Sequence, residues 1–126
     1  MVAVDSSSFI AFLQGEEGAD VDAVDHALGT KQAILPPVVV AELLSDPKME
    51  KRIKALILDL PNLEIVEGYW IRAGETRAKI LSKGIRARLA DTLISQSCLD
   101  HKTPLIARDT DFQNFVKYAG LELIRL

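Results

Sequence analysis

A single cysteine, Cys98, excludes an internal disulfide framework. It sits in the apolar-patterned run Leu93-Ile94-Ser95-Gln96-Ser97-Cys98-Leu99, where a small buried hydrophobe in a reducing compartment is expected. No apolar run approaches the ~20 residues needed to span a bilayer. Met1-Val2-Ala3-Val4 is interrupted at once by Asp5, unlike a signal peptide. The expectation is a cytoplasmic protein with no membrane partner. Repeats, low-complexity stretches and linkers are also missing. No Cys/His spacing suggests zinc: His26 lies on an acidic helical segment and His101 closes another. A basic excess is lacking too, since the formal net charge is −3, so nothing global marks a nucleic-acid binder.

What is present is uneven. The first thirty residues contain Asp5, Glu16, Glu17, Asp20, Asp22 and Asp25 and neither Lys nor Arg. Residues 71–108 hold eight cations, among them Arg86, Arg88 and Arg108, against Glu75, Asp91 and Asp100. Such a segment can guide a polyanion to a site while the rest of the surface repels it. Two ordinary solvated helix faces would give the same pattern. With 126 residues, 48% of them hydrophobic, the chain suits one domain spanning 1–126 with a core that needs no staples.

Short apolar runs alternate with segments of helical period. Val2-Ala3-Val4 predicts a strand, and Ser6-Ser7-Ser8 can cap a helix through Phe9, Ile10, Phe12 and Leu13 that ends at Gly15. A second helix runs from Ala19 to Leu28. Ala33-Ile34-Leu35 is the next strand, and Pro36-Pro37 opens a helix over Val38 to Leu44, a position where the lost N–H costs nothing. Asp46-Pro47 predicts the cap of another, with Ile53, Leu56, Ile57 and Leu60 at helical spacing until Pro61. Leu63 to Val66 reads as a strand, Gly68 to Ser82 and Ala90 to His101 as helices, and Thr103 to Ala107 as a strand. Asp111 to Tyr118 is a short helix, and Leu121 to Ile124 is the last strand. Strands separated by helices predict a three-layer α/β/α sandwich around a mostly parallel five-stranded sheet. In such sheets ligands bind outside the carboxyl ends of the strands.

The carboxylates fall at that edge. Asp5 follows the first strand, and Asp109 and Asp111 follow the fourth. Glu42 lies near the start of the helix after the second strand, and Asp91 starts the helix that returns to the fourth. Each has a plain structural reading. Asp5 and Asp91 suit helix N-caps, where aspartate is worth ~1 kcal/mol, and Asp109 and Asp111 suit turns. Glu42 interrupts a helix otherwise apolar on all sides. Such a helix is expected to be buried, and the glutamate then needs an arginine partner, a hydrogen-bond network or a metal. Together the acids say more, because clustered carboxylates repel one another and a hard divalent cation removes that cost. Mg²⁺ or Mn²⁺ on an all-carboxylate site is suited to phosphoryl transfer, including hydrolysis of a nucleic-acid backbone.

The segments Val2-Ala3-Val4-Asp5-Ser6-Ser7, Val40-Ala41-Glu42-Leu43-Leu44, Ala90-Asp91-Thr92-Leu93-Ile94 and Pro104-Leu105-Ile106-Ala107-Arg108-Asp109-Thr110-Asp111-Phe112 occur in one order across nearly the whole chain. This ordered set resembles PIN domains, in particular the VapC-type toxin ribonucleases of bacterial and archaeal toxin–antitoxin pairs. The resemblance implies catalytic, metal-binding acids at Asp5, Glu42, Asp91 and Asp109, with Asp111 an accessory metal ligand. Ser7 matches the family's hydroxyl residue and would orient Asp5 or a ligand water. Ser6 stands where many members have threonine. The resemblance further implies a Mg²⁺- or Mn²⁺-dependent endoribonuclease, an RNA substrate, a homodimer, and inhibition by a cognate antitoxin. Arg86, Arg88 and Arg108 are candidates for holding RNA phosphates, and the basic run before Asp91 could instead receive an acidic antitoxin residue.

Other readings remain open from sequence. A metal-dependent phosphatase also places an aspartate after the first strand, but the second aspartate expected two residues on is Ser7. A receiver-like signalling domain shares an acidic rim, yet no well-placed lysine follows the last strands. A PIN-like module that binds RNA without cutting it would keep the fold. For a dimer contact, the apolar stripe between Pro47 and Leu60 is the candidate, with core packing as its alternative.

Overall fold

Ala3 and Val4 are fully buried, and the strand they help form, β1 (Val2–Val4), lies at the middle of a parallel sheet in the computed structural model, which describes residues 1–126. Burial on both faces is why this strand reads as an unbroken apolar run. On one side lies β2 (Ala33–Ile34), with Val2 opposite Ala33 and Ala3 opposite Ile34. On the other lies β3 (Leu105–Ile106), with Ala3 opposite Leu105 and Val4 opposite Ile106.

The two expected outer strands contract to single parallel bridges, Leu35 with Asn62 and Leu105 with Leu123. The sheet is therefore five segments wide, three strands with a parallel bridged segment at each edge. Beyond Leu63, residues 64–66 are exposed, and the Glu64 carbonyl accepts a hydrogen bond from His101 Nε2 (2.7 Å). That acceptor is thereby satisfied outside a ladder. At the other edge Leu105 N donates to the Glu122 carbonyl and Ile124 N to the Leu105 carbonyl, both at 2.9 Å. β3 itself is short because Pro104 has no N–H to offer.

The helices follow the expected order: α1 (Ser6–Leu13), α2 (Ala19–Gly29), α3 (Pro37–Leu43), α4 (Lys51–Asp59), α5 (Tyr69–Leu81), α6 (Leu89–Asp100) and, after a 3₁₀ turn over Thr110–Phe112, α7 (Gln113–Ala119). The cap of α1 is Asp5, not one of the serines that follow it. Helix α4 begins later than Asp46-Pro47 predicts. Asp46 instead closes a turn by accepting from Lys48 N (2.9 Å), and the helix starts after Glu50. α1 packs on α2 and α3, α6 on α3 and α5, and α7 on α5. One cluster of 20 buried residues runs through the sheet and the inner helix faces, with Phe9, Phe112, Phe115, Leu35 and Ile94 among its largest members. No helix is long and apolar enough to cross a membrane.

Two burial expectations change. Helix α3 buries only Val39 and Leu43 and leaves Ala41 and Glu42 exposed, so it is not buried on all sides. Four of its seven residues are Val or Ala, and their apolar character covers a surface-lying helix. The inserted helix is α6, where the run from Ile94 to Cys98 is buried throughout. Gln96 and Asp100 find partners across the α5 interface, Thr92 Oγ1 bonds back to the Arg88 carbonyl (2.8 Å), and Ser95 Oγ is buried without one. Thr76 Oγ1 donates to Gln96 Oε1 (2.7 Å), Gln96 Nε2 to Asp100 Oδ1 (2.9 Å), and Arg72 holds both Asp100 oxygens (2.9 and 2.7 Å). Cys98 is among the buried residues of α6, as expected, and burial pushes its thiol up to about 12.

Candidate metal centre

Asp5 sits where β1 becomes α1. Its N–H still donates to the Ile106 carbonyl of β3 (2.9 Å), while its own carbonyl already accepts from Phe9 N (3.1 Å). The side chain is 4% exposed, and its Oδ2 accepts from Ser7 N (3.3 Å) and Ser7 Oγ (2.5 Å). Burial raises the Asp5 pKa and the charge of Asp109 adds to the rise, whereas the Ser7 bonds oppose it. The residue is thus both a helix cap and a buried carboxylate facing other acids. Ser7 holds one of its oxygens through both its N–H and its hydroxyl.

Asp91 is not the cap of α6. That position is Arg88, whose side chain makes no capping bond, and Asp91 lies in the first turn. A carboxylate there is favoured by the helix dipole. Its Oδ2 is nevertheless buried with no hydrogen-bond partner. Burial, then the charges of Asp5 and Asp109, push its pKa from 3.8 up to about 6; Arg88 works against the rise and Asp111 adds to it. Asp109 caps the 3₁₀ turn by accepting from Asp111 N (2.9 Å), which brings Asp111 around to the same side. One ligand oxygen each from Asp91, Asp109 and Asp111 lie within 4.8 Å of one another. Metal–oxygen bonds of ~2.1 Å place octahedral oxygens ~3–4 Å apart, so these three need little adjustment to share a small cation directly or through water.

Glu42 reaches the rim from α3, and Ser6 Oγ donates to its Oε1 (3.1 Å). The residue as a whole is exposed, but its carboxyl end leans on α1. Partial desolvation there is the main cause of its raised pKa, with Ser6 opposing and Asp5 adding. No arginine partners it. Ser6 as the glutamate's hydrogen-bond donor was not read from the sequence, which offers no signal for a contact 36 residues apart.

The three arginines singled out by sequence part company. Arg88 is exposed beside the acids, with Nε 4.0 Å from Asp111 Oδ2. Arg86 is exposed in the loop before α6. Arg108 is committed elsewhere: Nε and Nη2 hold the two Asp20 oxygens (2.9 and 3.1 Å) and Nη1 reaches Glu16 Oε1 (3.4 Å). Its guanidinium is thus engaged by two carboxylates, neither of which belongs to the acidic cluster.

The donor set fits a hard divalent cation. It is all oxygen, it includes a buried oxygen that the protein leaves unpaired, and the neighbouring carboxylate charges add to the rise at Asp91, a repulsion that a cation would remove. The family model described as "PIN domain" matches residues 2–118. The chain belongs to the PIN domain family. Solved structures agree with this PIN fold. The VapBC2 complex of Rickettsia felis bound to a DNA fragment from its promoter aligns with a TM-score of 0.74 at 17% identity, covering 100% of this chain and 99% of that one. FitAcB from Neisseria gonorrhoeae gives 0.73 at 20% identity, over 99% and 97% of the two chains. VapBC-5 from Mycobacterium tuberculosis, a member of the VapBC family of toxin–antitoxin systems, gives 0.67 at 22%, over 99% and 98%. At these identities the likeness establishes the fold. No curated protein sequence matches this chain significantly.

Proposed function

We propose that this PIN domain is a Mg²⁺- or Mn²⁺-dependent endoribonuclease and the toxin of a toxin–antitoxin pair. The observation that carries the reading is the convergence of Asp5, Asp91, Asp109 and Asp111 on one sheet edge, with Asp91 Oδ2 buried and unpaired. Asp91, Asp109 and Asp111 hold the metal, Asp5 and Glu42 complete the acidic wall, and Ser7 fixes the Asp5 carboxylate through two hydrogen bonds. A bound divalent ion supplies Lewis-acid polarisation of the phosphodiester and eases deprotonation of the attacking water. Asp5, the most buried of these acids, keeps a fixed negative wall opposite Asp109. Arg86 and Arg88 border the site and draw the RNA backbone to it.

A cognate antitoxin is the proposed partner, because solved toxin–antitoxin complexes share this fold over the full chain. The homodimer is proposed on a different surface from the one the sequence suggests. In the Pro47–Leu60 segment Ile57 is buried and Ile53 and Leu60 pack on the core, which leaves only Leu56 and Leu58 outward. Trp70 and Ile71 on α5 are 64% and 70% exposed and form the larger apolar pair.

The test is cleavage of cellular tRNA and rRNA in Mg²⁺, in Mn²⁺ and with EDTA, beside Asp5→Asn prepared identically. Discrete products that disappear with EDTA and in the variant are expected. RNA that is bound but never cut in either metal would replace the nuclease with a binding module, and cleavage retained by Asp5→Asn would remove that residue from the site.

A further inference from the structure

Arg108 directly precedes Asp109, and its side chain is held by Asp20 and Glu16 rather than by the acids of the cluster. Asp20, in the first turn of α2, is 7% exposed and holds Arg108 at two points, Nε to Oδ2 (2.9 Å) and Nη2 to Oδ1 (3.1 Å). Ser8 Oγ, on α1, donates to the same Oδ2 (2.9 Å). This knot of contacts therefore joins α1, α2 and the segment after β3. Gly18 makes room for it, because a Cβ there would lie 2.7 Å from Asp20 Oδ1 and 3.2 Å from Arg108 Nη2. Exposed ion pairs contribute little, but this one has a buried carboxylate and two-point geometry, which fixes direction as well as distance.

Direction matters at this place in the chain. The ladder bond from Asp5 N reaches Ile106, and residues 107–109 then lie in neither strand nor helix before the 3₁₀ turn begins at Thr110. Adjacent Cα atoms are ~3.8 Å apart, so the placement of Arg108 constrains where Asp109 can lie. Metal sites tolerate ligand displacements of only about 0.2 Å. Asp109 in turn sets Asp111 through its bond to Asp111 N.

We propose that Asp20 and Arg108 are positioning residues, whose two-point ion pair holds Asp109 and Asp111 in register for the metal. Ser8 and Gly18 support the pair, Ser8 by fixing Asp20 and Gly18 by leaving space. The inference rests on the metal-dependent reading above and adds two residues to it that touch neither metal nor RNA.

The test is a Mn²⁺ titration of the full chain, followed by loss of the free-ion electron paramagnetic resonance signal. Circular dichroism and metal-free melting are recorded on the same samples. Asp20→Asn keeps size and the Ser8 acceptor but loses the charge, and is expected to weaken Mn²⁺ about tenfold. Arg108→Lys keeps the charge without the two-point grip and is expected to lie between that variant and wild type. Glu16→Gln, which removes only the exposed 3.4 Å contact, is expected to bind as wild type does. A folded Asp20→Asn with wild-type Mn²⁺ affinity overturns the proposal, even if its melting temperature falls, because the pair is then only a brace of the fold. Should Asp20→Asn not fold, Arg108→Lys decides by the same criterion. A wild type that binds no Mn²⁺ overturns the metal-dependent reading and this inference together.

Discussion

Asp91→Asn is expected to stabilise the metal-free protein while abolishing its metal response. Burial and the charges of Asp5 and Asp109 move the Asp91 pKa from 3.8 to about 6. That displacement corresponds to ~3 kcal/mol, of which solvent screening at a half-buried rim leaves ~1–2 kcal/mol recoverable. In a chain of this size ~1 kcal/mol moves Tm by roughly 3–6 °C. The variant is therefore expected to melt about 3–12 °C above wild type at neutral pH in EDTA. The sign of the pH dependence follows from the direction of the shift. A carboxyl whose pKa is raised on folding binds its proton more tightly in the folded state, so its penalty is complete above about 6 and fades as pH falls toward 3.8. The variant's advantage shrinks through the same window. Mn²⁺ reverses the order, since a ligand at a hundredfold excess over Kd adds ~2.7 kcal/mol to the protein that binds it. Differential scanning calorimetry from weakly acidic to neutral pH, with EDTA and with Mn²⁺, measures each arm. A metal-free variant that melts below wild type at neutral pH, or an advantage that does not shrink in acid, would refute the repulsion argument.

Two further outcomes are expected. Arg86→Ala with Arg88→Ala raises KM for RNA with little change in kcat, and flattens the logarithmic salt dependence of binding by about 0.7 per lost phosphate contact; an unchanged salt slope would remove both from the RNA path. Light scattering gives twice the 13.9 kDa chain mass for wild type and the single mass for Trp70→Ser with Ile71→Ser; a wild-type monomer at micromolar concentration would refute the dimer.

The positions of the acids were legible because they depend on local signals. Asp5 ends an apolar run and begins a helical period, and Asp109 ends another such run, so the strand-end rule places both at one rim. The resemblance to PIN domains rests on the same short segments, and the family match over residues 2–118 agrees with it. The misreadings involve burial. Apolar neighbours suggested an enclosed Glu42, yet α3 lies at the surface and the glutamate's partner is Ser6. Conversely, α6 carries serine, threonine and glutamine at buried positions, which pattern alone would turn outward; Thr76 of α5 bonds to Gln96, and Thr92 bonds back to the Arg88 carbonyl. The outer strands also read as full strands, but one edge carbonyl bonds to His101 instead.

By itself the sequence determined the order of strands and helices, the parallel pairing that follows from alternating them, and the strand ends on which the carboxylates fall. Those properties arise from periodicity and capping within a few residues, where the backbone leaves little choice. Only the tertiary structure decided that Arg108 belongs to Asp20, 88 residues away, and that Asp91 Oδ2 is left buried without a partner. Pairings of that kind depend on how helices seat against one another. A charged side chain carries no mark of its partner until packing has removed it from water and left one group within reach.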